Sequence, residues 1–126
     1  MTTDLKIIAE QAQAGVPVTV FHLSGWLDGQ SEEQLLEAAR EAHNEGARYL
    51  LVDMSRLDTV TSAGIRALQK TYQIYTPKED RFKVIHLRLC GAPPQIHNVL
   101  GITGFLHNIP MHASTEEALQ AFGKDA

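Results

Sequence analysis

The stretch Tyr49-Leu-Leu-Val-Asp53-Met-Ser-Arg-Leu-Asp-Thr-Val-Thr-Ser62-Ala-Gly64-Ile-Arg-Ala-Leu68 decides how the chain is to be read. It opens on the continuous apolar run Tyr49–Val52, the pattern of a strand covered on both faces. The run stops at Asp53, a short polar loop is expected to follow, and a helix is expected to open near Thr61 or Ser62. A small hydroxyl then stands at a helix start on the strand-end edge of a sheet. Free backbone N–H groups and the positive end of the helix dipole meet at such a place, so a phosphate on the hydroxyl is held rather than repelled. As a plain cap Ser62 contributes about 1 kcal/mol, and a capping serine at an exposed helix start is also within reach of a kinase.

Working back from this stretch, Leu5 to Ala9 is a short apolar segment, and Gln11 to Pro17 reads as a turn broken by Gly15 and Pro17. Val18 to Leu23 alternates β-branched and aromatic residues as a strand does, so the pair forms an edge hairpin. Ser24 to Ser31, which includes Trp26 and Asp28, reads as a loop. Ser31 and Gln34 have capping-box spacing, and Leu35, Ala39 and Ala42 fall on one helical face before Gly46 stops the helix.

Working forward, Ile65, Leu68, Tyr72 and Tyr75 share a helical face that ends before Pro77. After the charged turn Lys78 to Arg81, Phe82 to Cys90 is a strong strand, and Gly91-Ala-Pro-Pro94 is a tight helix entry. Ile96, Val99 and Leu100 form the buried stripe of that helix, closed by Gly101 or Gly104. A short strand near Ile109 is confined by Pro110 to an edge or terminal position. Ser114-Thr-Glu-Glu117 is a second capping box, and Ala118, Leu119 and Phe122 form the last apolar face before Gly123. The order β, β, α, β, α, β, α, β, α predicts an α/β fold. A central mixed sheet of about five strands carries an N-terminal hairpin, with about four helices packed on it. One domain is expected over 1–126, with its core at about 5–123.

The 126 residues carry 11 Lys and Arg against 15 Asp and Glu, a net charge of -4, and the basic residues are scattered. That argues against nucleic acid, whose affinity for proteins rests on clustered cations. No apolar stretch approaches the roughly 20 residues needed to cross a bilayer, and no signal peptide is read at the N-terminus, so the cytoplasm is the expected location. Cys90, the single cysteine, has no intrachain disulfide partner. Asp53, Ser55 and Asp58 lack the glycine and the closing glutamate of a calcium loop, and the six histidines lack metal-ligand spacing, so no metal or cofactor is expected. Val60-Thr-Ser-Ala-Gly64 lacks the first glycine of a nucleophile elbow, and no glycine cluster has the spacing of a phosphate loop. A binding module is expected in preference to an enzyme.

Three segments together, Leu23-Ser-Gly-Trp-Leu-Asp28, Leu50-Leu-Val-Asp-Met-Ser-Arg-Leu57 and Val60-Thr-Ser-Ala-Gly-Ile-Arg-Ala-Leu68, resemble the STAS domain family. Leu89-Cys-Gly-Ala-Pro-Pro94, Val99-Leu100, Gly104-Phe105 and Ser114-Thr-Glu-Glu-Ala-Leu119 extend the resemblance over nearly the whole chain, in order. It implies a protein similar to bacterial anti-sigma factor antagonists. Unphosphorylated, such a protein binds an anti-sigma factor with serine kinase activity and frees a sigma factor for transcription; a phosphatase resets the modified form. The resemblance implies phosphorylation at Ser62, with Thr61 as the alternative, and partner contacts at Asp28, Ser55, Asp58, Thr61, Ser62, Ala63 and Arg66. The chain departs from many phosphorylated members at Thr61, where they carry Asp. Two alternatives stay open with the resemblance: a constitutive STAS subunit of a transport or signalling assembly, and a nucleotide- or anion-sensing STAS domain. The oligomeric state is left open.

Overall fold

In the computed structural model, which describes residues 4–80, 83–107 and 109–125, the elements follow the expected order. Strand β1 (Lys6–Gln13) pairs antiparallel with β2 (Pro17–Leu27). Then come α1 (Glu32–Asn44), β3 (Leu50–Val60), α2 (Ser62–Tyr75), β4 (Leu87–Cys90), α3 (Pro94–Ile102), β5 (Met111–His112) and α4 (Thr115–Asp125). Among the described residues the strands form one mixed sheet in the order β1-β2-β3-β4-β5, with β2 to β5 parallel.

The two faces of the sheet are covered unequally. Phe21, Leu23, Leu50, Val52, Met54, Leu87 and Leu89 meet Leu35 and Ala39 of α1, Ala67, Leu68 and Tyr75 of α2, and Ile96 and Leu100 of α3 in the main core. The opposite face has a smaller cluster, Val18, Val20, Leu51 and Cys90 against Ala118 and Phe122 of α4. Helix α4 passes close to the β1–β2 turn, and a Cβ at Gly123 would meet the Ala14 carbonyl oxygen at 2.5 Å. Gly123 thus lies inside α4 as a close-packing residue rather than ending it.

Several boundaries differ from the sequence reading. Ser24 to Leu27 is the end of β2, and the expected polar loop after Asp53 is the continuation of β3 as far as Val60. These segments pair with each other, Ser24 with Arg56, Gly25 with Leu57, Trp26 with Thr59 and Leu27 with Val60, which satisfies the backbone of residues whose side chains look like loop. Strand β4 covers only Leu87–Cys90 of the expected Phe82–Cys90; Arg81 and Phe82 lie outside the described residues. Val99 faces solvent, because α3 seats only Ile96 and Leu100 on the core. The expected capping box at Ser31 does not form: the Ser31 hydroxyl donates to the Trp26 carbonyl at 2.9 Å, and Gln34 donates to the Leu5 carbonyl at 2.9 Å. The second box forms in its first half, with the return contact going to the residue before the cap. Ser114 Oγ accepts the Glu117 amide at 3.2 Å, and the Glu117 carboxylate reaches back to the Ala113 amide at 3.1 Å.

Candidate functional site at the start of α2

The upper half of β3 and the first turn of α2 make the site. Two register shifts between β2 and β3, at His22/Ser24 and Gly25/Trp26, insert extra residues into β3. Such bulges twist a strand and turn side chains outward, and here Ser55, Arg56 and Asp58 are exposed while Met54 and Leu57 stay in the core. Pairing with β4 has already ended at Asp53, so beyond that residue β3 is held by β2 alone within the sheet.

The turn into α2 is fixed by close packing. The Thr61 amide donates to the Leu27 carbonyl at 3.0 Å, and a Cβ at Gly64 would meet the same oxygen at 2.2 Å. Only glycine lets the first helical turn lie this close to the end of β2. The cap is Thr61, in extended backbone conformation, whose Oγ1 accepts the Gly64 amide at 3.3 Å. Ser62, which the sequence reading made the cap, is instead the first helical residue. The physical reason is that the side chain before the helix, not the one inside it, turns back to accept the amide of its third residue. Ser62 is exposed, and its hydroxyl has no hydrogen-bond partner among the described residues. The Ser62 and Ala63 amides, at the start of the first turn, have no intrahelical acceptor.

The other expected site residues fall into two groups. Gly29, beside Asp28, comes against Ala63, where a Cβ on the glycine would be 3.7 Å from the alanine Cβ. Asp28 itself is occupied in closing its loop: its Oδ1 accepts the Gln30 and Ser31 amides, each at 3.1 Å. Arg66, one turn along α2 from Ser62, makes a bidentate pair with Glu32 at 3.0 Å for both contacts, and Lys70 adds a third contact at 3.3 Å. The Arg66 guanidinium, with Lys70 behind it, holds the Glu32 carboxyl down to about 2. Thr61, Ser62, Ala63, Arg66 and the Asp28 loop therefore form one group. Ser55 and Asp58 belong elsewhere. Asp58 lines a groove of about 620 Å³ with Lys6, Gln34 and Arg56, and Ser55 lines one of about 540 Å³ with Lys6, Ile8, His22, Ser24, Asp53 and Arg56. Neither groove includes Thr61 or Ser62.

The sequence reading missed one cluster, because it rests on strand register. His22 on β2 lies opposite Asp53 on β3, with Nδ1 at 2.7 Å from Asp53 Oδ2 and Nε2 at 2.8 Å from Glu10 Oε1 on β1. The Glu10 contact raises the imidazole pKa, burial opposes it, and Asp53 adds to the rise. Burial pushes the Asp53 carboxyl up, but His22 and the Ser55 amide at 3.0 Å outweigh it and leave the carboxyl below its ordinary range. With both ring nitrogens occupied by carboxylates, His22 is a cross-strand tie, not a free base. The Cys90 thiol, pushed up to about 11 by burial, is a packing residue rather than a nucleophile.

A comparison with known proteins bears on a surface of this kind, an exposed serine at the head of a helix that follows a long parallel strand. The family pattern described as STAS domain matches residues 8–118. This chain belongs to the STAS domain family. The STAS domain is 32% identical, over 79% of its length and 82% of the relative's, to BtrV of Bordetella bronchiseptica, which is named as a candidate anti-sigma factor antagonist. Its fold matches the crystal structure of an anti-sigma factor antagonist from Mycobacterium paratuberculosis, with a TM-score of 0.81 at 20% identity, covering 97% of both chains. It also matches the Bacillus cell fate determinant SpoIIAA in its phosphorylated form, with a TM-score of 0.66 at 22% identity over 92% of this chain and 98% of that one.

Proposed function

We propose that this STAS domain is an anti-sigma factor antagonist. In its unphosphorylated form it binds an anti-sigma factor with serine kinase activity and so frees a sigma factor for transcription; phosphorylation of Ser62 ends the binding and a phosphatase restores it. It works as a binding module in the cytoplasm, not as an enzyme. The observation that carries this reading is the division of labour between Thr61 and Ser62. Thr61 supplies the cap from a partly covered position, while Ser62, next to it, is exposed with its hydroxyl unengaged among the described residues. A phosphate on Ser62 leaves the cap intact and sits over the unsatisfied amides of the first turn, where negative charge is favoured. Thr61, partly covered and already engaged with the Gly64 amide, is less open to a kinase than Ser62. The likeness to the BtrV protein supports the same function.

The effect of the modification is local. A phosphate adds about -1.5 to -2 charges. Facing a partner carboxylate at about 4 Å and an effective dielectric of about 20, each unit of charge is repelled by about 4 kcal/mol before screening. A third of that weakens binding about tenfold. The test is to mix the protein with its anti-sigma kinase and ATP and to map the phosphate by mass spectrometry, alongside affinity measurements on two variants. Ser62→Ala is expected to bind as the unmodified protein does and Ser62→Asp about tenfold more weakly. No phosphate at Ser62 or Thr61 with any candidate kinase, or a Ser62→Ala variant as weak as Ser62→Asp, overturns the switch.

A further inference from the structure

The two edges of the sheet are built differently. Strand β5 has two residues, Met111 and His112, directly after Pro110, and is too short to template another chain. Strand β1 has eight residues, Lys6–Gln13, contains no proline and pairs with β2 on one side only. Lys6, Ile8 and Glu10 alternate onto the face carrying α4 but stand outside the cluster under it, which takes Val18 and Val20 from β2 and, from β1 and the turn, Ala12, Ala14 and Val16. Ile8 is 57% exposed there. Lys6 has no ion-pair or hydrogen-bond partner among the described residues, and Glu10, which gives Oε1 to His22, keeps Oε2 open.

We propose that β1 pairs with β1 of a second copy of this chain, antiparallel about a two-fold axis at Ile8, to make a continuous sheet across the dimer. A lysine on an edge strand ordinarily discourages pairing; here the spacing of the opposite charge reverses that effect. A two-fold axis normal to the sheet keeps each face on the same side, so only residues of like parity meet. Centred on Ile7, the pairing sets Lys6 beside Ile8 of the second copy. Centred on Ala9, it sets Ile8 beside Glu10. Centred on Ile8, it sets Ile8 against Ile8 and Lys6 against Glu10 twice over, once on each side of the axis. Side chains directly opposed in antiparallel strands stand about 4.5–5.5 Å apart at Cβ, close enough for both kinds of contact. That register alone buries the exposed isoleucine and gives the unpaired lysine an opposite charge. The pairing uses β1, while the proposed switch uses α2, so the two can be tested separately.

The experiment is sedimentation equilibrium on the full chain across concentrations from about 1 µM to about 1 mM, a span that brackets weak and stable dimers. Circular dichroism and thermal melting serve as folding checks. The unaltered chain is expected to dimerise. Lys6→Glu brings like charges together on both sides of the axis, and the dimer dissociation constant is expected to rise at least tenfold. Adding Glu10→Lys to the same chain restores opposite charges, and the constant is expected to return towards the original although the Glu10 contact with His22 is lost. A chain that stays monomeric throughout overturns the proposal. So does a dimer indifferent to Lys6→Glu, which would be built on another surface, or a double variant no tighter than the single.

Discussion

The lower and upper halves of β3 obey different rules. From Leu50 to Asp53 the strand is paired on both sides, by β2 and β4, and Leu50, Leu51 and Val52 are completely buried. From Met54 to Val60 it pairs with β2 alone, through two register shifts, and shows Ser55, Arg56 and Asp58 to solvent. One strand thus anchors the core at one end and presents a surface at the other. What separates the halves is the length of β4, which stops at Cys90. The difference teaches that the exposed surface at the start of α2 is held from beneath by Leu27, Gly64 and Thr61, not by the residues it exposes.

The largest effect is expected where the lower half is cut. Leu50→Ala removes a fully buried side chain and should cost about 2–5 kcal/mol, read as a fall in the urea midpoint, with partner affinity preserved in the fraction that stays folded. Next comes Gly64→Ala. In an ordinary helix that change gains about 1 kcal/mol, but here the methyl would meet the Leu27 carbonyl oxygen at 2.2 Å, and backbone cannot swing aside. A loss of about 1–3 kcal/mol is expected, together with weaker partner binding because the first turn of α2 moves. A stabilised Gly64→Ala variant would show that the close approach is not what holds the upper half. Thr61→Ala should cost about 1 kcal/mol by removing the cap, and Thr61→Ser should recover most of it. Equal stability of the two variants would show that Thr61 is not the cap.

The same contrast explains what was legible in the sequence. Element order came from apolar runs and helical faces, which report on burial, and the lower half of β3 was read correctly for that reason. The upper half was not. Each bulge adds a residue, so the inward positions Val52, Met54, Leu57 and Val60 fall at spacings that break the two-residue period of a strand. Polar residues at the end of a strand look like loop when their pairing partner is unknown; the same error shortened β2 at Ser24–Leu27. Ser62 was placed at a helix start, since a hydroxyl before Ala-Gly is a local signal, but the cap proved to be Thr61. His22, Asp53 and Glu10 were out of reach, because their meeting depends on register between strands far apart in the chain.

That network sits at the junction of the two halves, and its pH response is the smallest effect expected. Asp53 is the last residue of β3 paired to β4, and His22 ties it to β2 and, through Glu10, to β1. The folded His22 pKa is raised above its ordinary 6.5. Its contribution to stability is therefore fully present below 6.5 and is lost as pH rises through the folded value. Asp53 moves the opposite way: its folded pKa lies below the ordinary 3.8, so its contribution is present above 3.8 and is lost as pH falls through the folded value. The tie is strongest between those limits. Partial exposure of His22 screens it, which keeps the effect below that of the Thr61 cap. Urea unfolding of the unaltered chain and of His22→Gln, compared from about pH 5 to about pH 8, should show the largest difference at the acid end, narrowing steadily as His22 loses its proton. A difference that stays constant or widens with pH would mean that the imidazolium does not tie the halves together, and that β2 alone carries the upper half of β3.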